Sequence, residues 1–437
     1  MKTGPALDFE ILHRSGVSRA RVGRVTTPHG SFDTPAFMPV GTRASVKGLL
    51  PGMVEATGAQ ILLNNTYHLM LRPGSELVQR MGGVHAFMRW NRPILTDSGG
   101  YQAYSLSETN SVDDDGVTFK SIIDGSAVRL TPERAIEVQN QLGADIIMAF
   151  DDCPPSEEAR PGAILQDSGK SGQGEDEAQT ERQGKRGRNA DPRLQSAIRR
   201  DTRKKGYDHA ARLAIANERT VRWLDRCKAA HARTQDQSLF GIVQGGTDLD
   251  RRAWCAERIA AIDLPGYAIG GVAVGEPFEE IARVVRHTAP LLPEGKPRYL
   301  MGVGYERDLV AAVRAGVDMF DCVLPTRNGR NANAFTQTGQ IRLRNAKFAE
   351  DQGPIEQGCD CLACDPARHG ASVGPGPFSR GYLRHLFMVG EMLGPILVSL
   401  HNVRHFQRLM LDIRRAIQND DWSGLVRNWP VAAQGIE

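Results

Sequence analysis

Eight short apolar runs recur along the chain between amphipathic or polar stretches, and they constrain the fold more than any other feature. They occupy residues 36–40, 61–64, 93–97, 145–151, 239–245, 266–272, 298–304 and 318–323. Runs of this length between helical patterns are typical of buried parallel strands. Eight strand-plus-helix units predict an α/β fold, a (β/α)8 TIM barrel. We favour it over a doubly wound open sheet because polar residues end many of the runs.

The chain has 437 residues, enough for one large barrel or two smaller domains, and 41% of them are hydrophobic, which supports a substantial core. Helix signals lie between the apolar runs. Residues 132–142 follow Thr131, whose hydroxyl can cap a helix, and residues 276–292 and 306–315 are further predicted helices.

Two of the apolar runs end in an aspartate that stands out chemically. Asp97 is followed by a glycine turn, and Asp321 stands near the end of its run, shortly before Pro325 and a polar stretch. The end of a strand is where an α/β enzyme places its chemistry. The pair therefore predicts an acid/base and a nucleophile that act on one substrate. The alternative for either aspartate alone is a turn or helix-capping residue.

Other predicted strand ends carry groups that suit a flat heterocycle. Asp151 can accept from ring N–H and amino groups, while Gln244 or the Gly271 N–H can donate to a carbonyl. Tyr101 and Met301 can cover the two faces of the ring. Considered singly, the glycine is a turn residue and the methionine a core residue, so the prediction rests on the combination.

Three of the seven cysteines fall within six residues, as Cys359, Cys361 and Cys364. This clustering and the odd count argue against a disulfide framework and predict a structural zinc site, the alternative being free thiols. The candidates for a fourth ligand are His369, His385, His401 and His405. We favour His401 because it opens the amphipathic stretch 401–417, where packed neighbours can hold it at a helix start.

Net charge and hydropathy limit the expected partners and cellular location of the protein. The net charge of +3 is too small to argue for nucleic acid, and no run approaches the roughly 18 apolar residues that span a bilayer. The first residues lack the apolar core of a signal peptide, so we expect a cytoplasmic protein. Residues 156–206 are polar and contain no aromatic residue, which predicts a disordered insertion. Its basic part is read as a solvated charge run in preference to an RNA contact. A second, Gly/Pro-rich insertion is predicted at residues 369–379.

These motifs, taken together, resemble a known family. They are NTYHL (65–69), TDSGGYQ (96–102), GGVAVGE (270–276), YLMGVG (299–304), FDCVLPTR (320–327) and the cysteine cluster with LHN (400–402). The set spans about residues 8–420 and is similar to bacterial tRNA-guanine transglycosylases, also called queuine tRNA-ribosyltransferases. The resemblance implies a (β/α)8 barrel with an inserted zinc subdomain. It also implies exchange of guanine at the wobble position (34) of tRNAs with G-U-N anticodons for a 7-deazaguanine base.

The resemblance implies roles for the two aspartates and the pocket. Asp321 corresponds to the nucleophile that attacks ribose C1′ and forms a covalent ribosyl-enzyme intermediate, and Asp97 to the general acid/base. The base must leave its stack to enter the pocket. The implied base-binding residues are Ser98, Gly99, Gly100, Tyr101, Asp151, Cys153, Gln244, Gly271, Val272 and Met301. Gly271 N–H would lie at O6, and the Val272 carbonyl would meet the substituent at position 7.

The resemblance also implies the partners. Cys153 and Val274 match the bacterial form of the pocket, which implies 7-aminomethyl-7-deazaguanine (preQ1) as substrate, in place of queuine. A homodimer is implied as well, and one structural zinc held by Cys359, Cys361, Cys364 and His401. The implied RNA-binding residues are Gly302, Val303, Gly304, Tyr305, Glu306, Arg307, Asp308, Thr326, Arg327, Asn328, Gly329 and Arg330.

The expected domains are a barrel over 1–345, a zinc-binding subdomain with helices packed on the barrel over 346–420, and a tail over 421–437. Three alternatives remain at this point. One is a (β/α)8 glycoside hydrolase that uses the same two aspartates without tRNA. Another is a non-catalytic partner subunit, and the presence of both aspartates argues against it. The third is a zinc-containing RNA-binding module, which leaves the strand-end carboxylates unexplained.

Overall fold

The computed structural model describes residues 6–106, 110–154, 208–273, 275–369 and 376–436. The predicted insertion at 156–206 and Val274 lie outside the described residues, as does most of the second predicted insertion. The domain boundaries stay a prediction.

The described strands alternate with helices through most of the chain. In chain order they are β1 (Asp8–Arg14), β2 (Arg21–Thr27), β3 (Gly30–Thr34), β4 (Ala36–Pro39), β5 (Leu62–Asn64), β6 (Ile94–Thr96), β7 (Asn110–Asp113), β8 (Gly116–Lys120), β9 (Ala127–Leu130), β10 (Ile146–Met148), β11 (Ser238–Val243), β12 (Gly266–Ile269), β13 (Arg298–Leu300), β14 (Met319–Cys322), β15 (Asn333–Thr336) and β16 (Gly339–Arg342).

The described helices are α1 (Pro51–Ala56), α2 (Thr66–Leu71), α3 (Ser75–Arg80), α4 (Gly83–Met88), α5 (Gly100–Ser105), α6 (Pro132–Leu142), α7 (His209–Ala230), α8 (Leu249–Ala260), α9 (Phe278–Thr288), α10 (Glu306–Arg314), α11 (Leu324–Arg330), α12 (Arg380–Val389), α13 (Leu393–Asn419) and α14 (Trp422–Asn428). Five of them begin at side-chain caps that satisfy free N–H groups, and three of these caps belong to helices of the barrel. Thr131, Asp208 and Asp248 accept from the main-chain N–H three residues on. The helix predicted at 132–142 is confirmed.

Eight parallel strands form one sheet among the described residues, in the order β4-β14-β13-β12-β11-β10-β6-β5. A parallel bridge between Val40 and Leu63 joins the two outer strands, so the sheet closes into a barrel. Each strand coincides with one of the eight apolar runs. The prediction of a (β/α)8 barrel is therefore confirmed, and the open doubly wound sheet is excluded.

Alternation along each strand separates the barrel interior from the layer beneath the helices. On β14, Met319 packs in the interior core, whereas Phe320 packs in the outer core against the helices. The same alternation places Leu95 inside and Ile94 outside on β6. Because side chains on a strand alternate with a period of two, the residue two positions after an interior residue also faces inward.

An antiparallel sheet of β1, β2 and β3 covers the amino end of the barrel. Val25 and Phe32 of this sheet pack with the interior core. Arg21 of β2 forms two hydrogen bonds to the buried Asp318 carboxylate, one of them 2.9 Å from Nε to Oδ1 and the other 2.6 Å from Nη2 to Oδ2. Side-chain packing and the buried ion pair between Arg21 and Asp318 therefore close this end of the barrel.

The cysteine-bearing region packs against the barrel through α13. Leu397 and Val398 lie in a core with the cysteines, while Phe406 stacks on Phe37 of β4 at 4.8 Å between ring centroids. The expectation that His401 opens a helix is wrong, since α13 begins at Leu393. The apolar run before His401 is part of the same helix, and it is apolar on several sides because the helix is buried between two cores. Among the described residues, no helix has both the length and the apolar character needed to cross a membrane.

Candidate active site

The carboxyl end of the barrel interior gathers the candidate catalytic residues. By strand alternation, Asp321 follows Met319 on the inner face of β14, and Asp97 occupies the corresponding inward position after Leu95. The charge of Asp321 acts on Asp97, so the two carboxylates are electrostatic neighbours. Both aspartates lie where barrel enzymes carry their chemistry.

Asp321 is held by neutral donors. The Tyr299 hydroxyl donates to its Oδ1 at 2.6 Å, and the Gly302 N–H donates to the same oxygen at 2.8 Å. Burial raises the pKa of Asp321, while these two hydrogen bonds lower it. Tyr299 is fully buried, and its own pKa is raised well above the usual value by burial and by the Asp321 charge. Tyr299 therefore remains a hydroxyl donor that fixes one carboxylate oxygen.

Asp97 is buried, and three hydrogen-bond donors contact its carboxylate. The Thr66 N–H donates to Oδ1 at 2.8 Å, the Gln102 amide donates to Oδ2 at 2.8 Å, and the Asn65 amide donates to Oδ2 as well. Burial raises the pKa of Asp97 to about 6 against these hydrogen bonds, and the Asp321 charge adds to the rise. A carboxyl group with a pKa near neutrality can both take and give a proton.

A third carboxylate, Asp151, is buried like Asp97 and lies between two polar side chains. Ser98 donates to its Oδ1 at 3.1 Å, and Gln244 donates to its Oδ2 at 2.6 Å. Burial raises the pKa of Asp151 to about 6, with these bonds opposing and the charge of Asp152 adding. The adjacent Asp152 is instead neutralised by a two-bond ion pair with Arg212.

Two glycines let the main chain approach the site. Gly271 has φ +61°, and a Cβ there would lie 2.1 Å from Oε1 of Gln244, so any side chain would displace that amide. Gly99 has φ +79°, and a Cβ there would lie 3.2 Å from the Tyr67 nitrogen. Both positions need glycine, for conformation and for space.

The other predicted base-binding residues lie around these groups. Gly100 and Val272 are buried, and Tyr101 and Met301 are half-buried. Cys153 is half-buried, and burial raises the pKa of its thiol, so it stays protonated at neutral pH.

The predicted RNA-binding residues divide by exposure. Gly302 is exposed, and Tyr305, Arg307, Arg327, Asn328 and Arg330 are half-buried. Val303, Gly304, Glu306, Asp308, Thr326 and Gly329 are buried. Glu306 contacts the ring of the buried His405, with 2.7 Å from Oε1 to Nε2. Of these residues, only the exposed and half-buried ones can contact a large ligand without a rearrangement of the chain.

The four predicted metal ligands come together. His401 Nδ1 lies 3.6 Å from Sγ of Cys359, 3.6 Å from Sγ of Cys361 and 3.5 Å from Sγ of Cys364. A tetrahedral zinc with ordinary bond lengths would separate sulfur from nitrogen by about 3.6 Å. Nε2 of His401 lies 2.8 Å from the Phe335 carbonyl, which fixes the ring. The group can hold a metal ion, and the spacing and donor set are those of zinc.

The other three candidate histidines point elsewhere. His405 pairs with Glu306, and His369 lies 2.9 Å from the Asp360 carbonyl oxygen through its Nε2. His385 is exposed and stacks near Tyr382.

Sequence reasoning missed a cluster at the opposite, amino end of the barrel. His29 Nδ1 lies 2.8 Å from Oδ1 of Asp145, and His85 Nε2 lies 3.0 Å from Oδ2. The two imidazole rings stack, with 3.5 Å between centroids and 12° between planes. Parallel stacked rings cannot both aim in-plane lone pairs at one ion, and the distances are those of hydrogen bonds. We interpret the cluster as a buried carboxylate with two imidazole partners.

Sequence reasoning also gave no role to the residues that hold the two candidate catalytic carboxylates. Asn65 and Thr66 belong to a recognised motif, but nothing in the sequence shows that they reach Asp97. Tyr299 was detectable by alternation, since it precedes Met301 by two positions on the inner face of β13. No sequence pattern predicts the main-chain contacts of Arg252.

Comparison with known proteins bears on this site. A sequence model of the family described as queuine tRNA-ribosyltransferase matches residues 16–215 and 201–434. The queuine tRNA-ribosyltransferase of Thermus thermophilus is 46% identical over 421 residues, which cover 96% of this chain and 93% of the relative. That of Acetivibrio thermocellus is 46% identical over 415 residues, 95% of each chain. That of Symbiobacterium thermophilum is 47% identical over 412 residues, 94% of this chain and 88% of the relative. The chain belongs to the queuine tRNA-ribosyltransferase family.

Proposed function

We propose that this chain is a tRNA-guanine transglycosylase that exchanges guanine at wobble position 34 of tRNAs with G-U-N anticodons for preQ1. The exchange proceeds by double displacement through a ribosyl group bound to Asp321. The observation that carries the proposal is the pair of inward carboxylates, Asp97 and Asp321, held by neutral donors in a member of this family.

Asp321 is the nucleophile in this proposal. Both described hydrogen bonds to its carboxylate end on Oδ1, which leaves Oδ2 to attack ribose C1′. The new C1′–O bond forms as the C1′–N9 bond to guanine breaks, and the departing base carries the electron pair. Two displacements at one carbon retain its configuration, as in retaining glycoside transfer.

Asp97 moves the proton. With a pKa of about 6 it can donate to N9 of the departing guanine and then accept the proton from N9 of the incoming base. The deprotonated base attacks C1′ and releases the Asp321 carboxylate. The charge of Asp321 favours protonated Asp97 before the first step, when a donor is needed.

Base recognition falls to the groups beside Asp151. Its carboxylate accepts from N1–H and the 2-amino group, and Gln244 and the Gly271 N–H donate to O6. The Val272 carbonyl accepts from the aminomethyl group of preQ1. Ser98, Gly99 and Gly100 form the turn beneath the base, Cys153 lines the pocket, and Tyr101 and Met301 cover the faces.

RNA recognition follows the exposed part of the rim. We propose direct contacts from Gly302, Tyr305, Arg307, Arg327, Asn328 and Arg330. The two arginines of α11 suit phosphate or base contacts beside Asp321, because the helix follows that strand directly. The buried Val303, Gly304, Glu306, Asp308, Thr326 and Gly329 shape these segments from below.

The cysteine cluster completes the proposal as one structural zinc per chain. Cys359, Cys361, Cys364 and His401 supply four ligands and leave no open position for substrate water. Metal analysis should give one zinc per chain in the purified protein. It should give a clear deficit in Cys361→Ala, together with lower thermal stability.

A homodimer is supported by exposed apolar side chains in the helical region that follows the cysteine cluster. Tyr382, Met388 and Val389 of α12 are exposed, as are Met392, with 77% of its surface accessible, and Leu393. Large apolar side chains exposed this close together along the chain suit an interface. We propose that a second copy covers it, and that the protein acts in the cytoplasm, where its tRNA substrate is found.

The deciding experiment measures labelled guanine entering defined tRNAs, with preQ1 and queuine as competitors. We expect incorporation only into tRNAs with a G-U-N anticodon, with preQ1 displacing the label better than queuine. An unlabelled tRNA with another base at position 34 is the control. Release of guanine without any incorporation would favour the glycoside hydrolase instead.

A further inference from the structure

Arg252 is a fully buried arginine whose described hydrogen bonds all go to main-chain carbonyls. It lies on α8, behind the ends of β11 and β12. Its Nε donates to the Gly246 carbonyl at 2.9 Å. Its Nη1 donates to the carbonyls of Val243 at 3.0 Å and Gly270 at 2.6 Å, and its Nη2 donates to that of Gly271 at 3.0 Å. One guanidinium thus joins two neighbouring strand ends.

The carbonyls that Arg252 binds belong to peptide groups of the pocket wall. The Gly270 carbonyl shares a peptide group with the Gly271 N–H. The Gly271 carbonyl shares one with the Val272 N–H, and the Val243 carbonyl precedes Gln244 in the same way. Because each peptide group is planar, fixing its carbonyl also fixes the direction of its N–H.

The charge of Arg252 adds to this geometric effect. Burial lowers the pKa of Arg252 to about 10, which still keeps the side chain charged at neutral pH. A carbonyl that accepts a hydrogen bond from a cation polarises its peptide group, so the N–H at the other end becomes a stronger donor. This polarisation is strongest where water is excluded, and the Arg252 guanidinium is fully buried.

We propose that Arg252 is a positioning residue for base selectivity: it orients and polarises the Gly270–Gly271 peptide group so that the Gly271 N–H donates to the 6-oxo group of the base. The inference rests on the proposed function, in which this wall reads O6. It assigns selectivity to a side chain that does not touch the base.

A buried arginine could instead serve only to join α8 to the strand ends. In that case its loss would weaken the binding of every base equally. Selectivity at the 6 position separates the two roles. 6-Thioguanine keeps N1–H and the 2-amino group of guanine but presents sulfur, a weaker acceptor, in place of O6.

The test is calorimetric binding of guanine and of 6-thioguanine to the full chain and to Arg252→Met and Arg252→Lys variants. We expect the wild type to prefer guanine by roughly tenfold, the usual scale for one well-placed recognition contact. That preference should fall at least fivefold in Arg252→Met. Arg252→Lys should be intermediate, because lysine keeps the charge but cannot reach all four carbonyls.

Arg298 provides a matched control at the other end of the barrel. It too is buried and donates to main-chain carbonyls, those of Leu292 and Gly316. Arg298→Met should lower stability and leave the guanine preference unchanged.

Equal weakening for both bases in Arg252→Met, or a wild type without preference, would overturn the inference. Should Arg252→Met fail to fold, an unchanged preference in Arg252→Lys would overturn it as well. Binding is measured without turnover, so a wild type that binds guanine selectively but does not exchange it would contradict the proposed function alone.

Discussion

The two ends of the barrel bury the same kind of side chain and treat it in opposite ways. At the amino end, Asp145 receives hydrogen bonds from His29 and His85, and Asp318 pairs with Arg21. At the carboxyl end, Asp97 and its neighbours Asp151 and Asp321 receive hydrogen bonds from amides, hydroxyls and main-chain N–H groups.

The titration of the carboxylates follows their partners. Burial alone would raise the pKa of Asp145, but the hydrogen bonds from the two histidines outweigh it and hold the pKa below its usual range. Burial raises the pKa of Asp97 and Asp151 to about 6, because neutral donors compensate the buried charge only in part. The amino end is therefore built for stability, and the carboxyl end keeps carboxylates that can change protonation state during a reaction.

The largest expected effect comes from Asp321→Asn. The change removes the attacking oxygen while keeping the shape and polarity of the side chain, so base exchange should fall by roughly 10⁴-fold or more. Affinity for tRNA should be retained. Exchange kinetics and a filter-binding assay on the same preparation check both points, and near-normal exchange would remove Asp321 from the mechanism.

Asp318→Asn tests the amino end of the barrel, at the residue that precedes β14. It leaves the Arg21 guanidinium buried without its anion, which should cost about 3–5 kcal/mol of stability. Exchange per folded molecule should stay within about threefold of wild type. Thermal unfolding measures the loss. The control is Asp33→Asn, which breaks an exposed pair with Arg24 and should cost much less stability. Equal losses in the two variants would contradict the contrast.

Asp97→Asn should alter how stability depends on pH. The pKa of Asp97 is raised in the folded state, so the protonated carboxyl group stabilises the folded protein. This stabilisation is fully present below about pH 4 and is lost as the pH rises through about 6. The difference between about 6 and the ordinary 3.8 corresponds to roughly 3 kcal/mol. The variant lacks this loss, so its stability relative to wild type should increase between about pH 4 and pH 7.

Asp145→Asn should show the opposite sign. Its folded pKa is lowered, so the wild-type contribution is present above the unfolded pKa and is lost as the medium becomes strongly acidic. The deficit of the variant should therefore grow as the pH rises from about 3 to 5. Denaturant unfolding at a series of pH values checks both variants, and slopes of the same sign would refute the assignment of roles to the two ends.

The smallest expected effect comes from Ser98→Ala. The change removes one hydrogen bond to Asp151, which should raise KM for the base by roughly 2- to 10-fold and shift the acid limb of its pH profile upward. The matched control is Ser238→Ala, a buried hydroxyl at the amino end of β11. Its KM should not change, and steady-state kinetics across pH compares the two.

The sequence was sufficient for the barrel and for the strand-end residues, for a clear physical reason. Parallel strands buried on both faces are short apolar runs, and their carboxyl ends share one edge, so Asp97, Asp151, Gln244 and Asp321 could be grouped without coordinates. The cysteine spacing similarly predicted a metal site that the structure brings together.

What the sequence could not give depends on contacts between distant segments. His401 was placed at a helix start because a helix buried between two cores has no regular polar face to mark where it begins. Arg252 lies in a charged stretch that is typical of an exposed helix face, although it is fully buried. Glu306 and Asp308 matched an RNA-contacting segment, yet their side chains are buried. In each case the tertiary partner, which local pattern does not encode, decides the role.

The proposed exchange depends on Asp321 carrying the ribosyl group between the two displacements. The most direct test incubates the wild-type protein with tRNA in the absence of an incoming base, denatures the mixture, digests it and maps the linkage by mass spectrometry. We expect a ribosyl adduct on the peptide that contains Asp321 and none in the Asp321→Asn variant. An adduct mapped to Asp97 or to any other residue, or exchange without a trapped adduct, would contradict it.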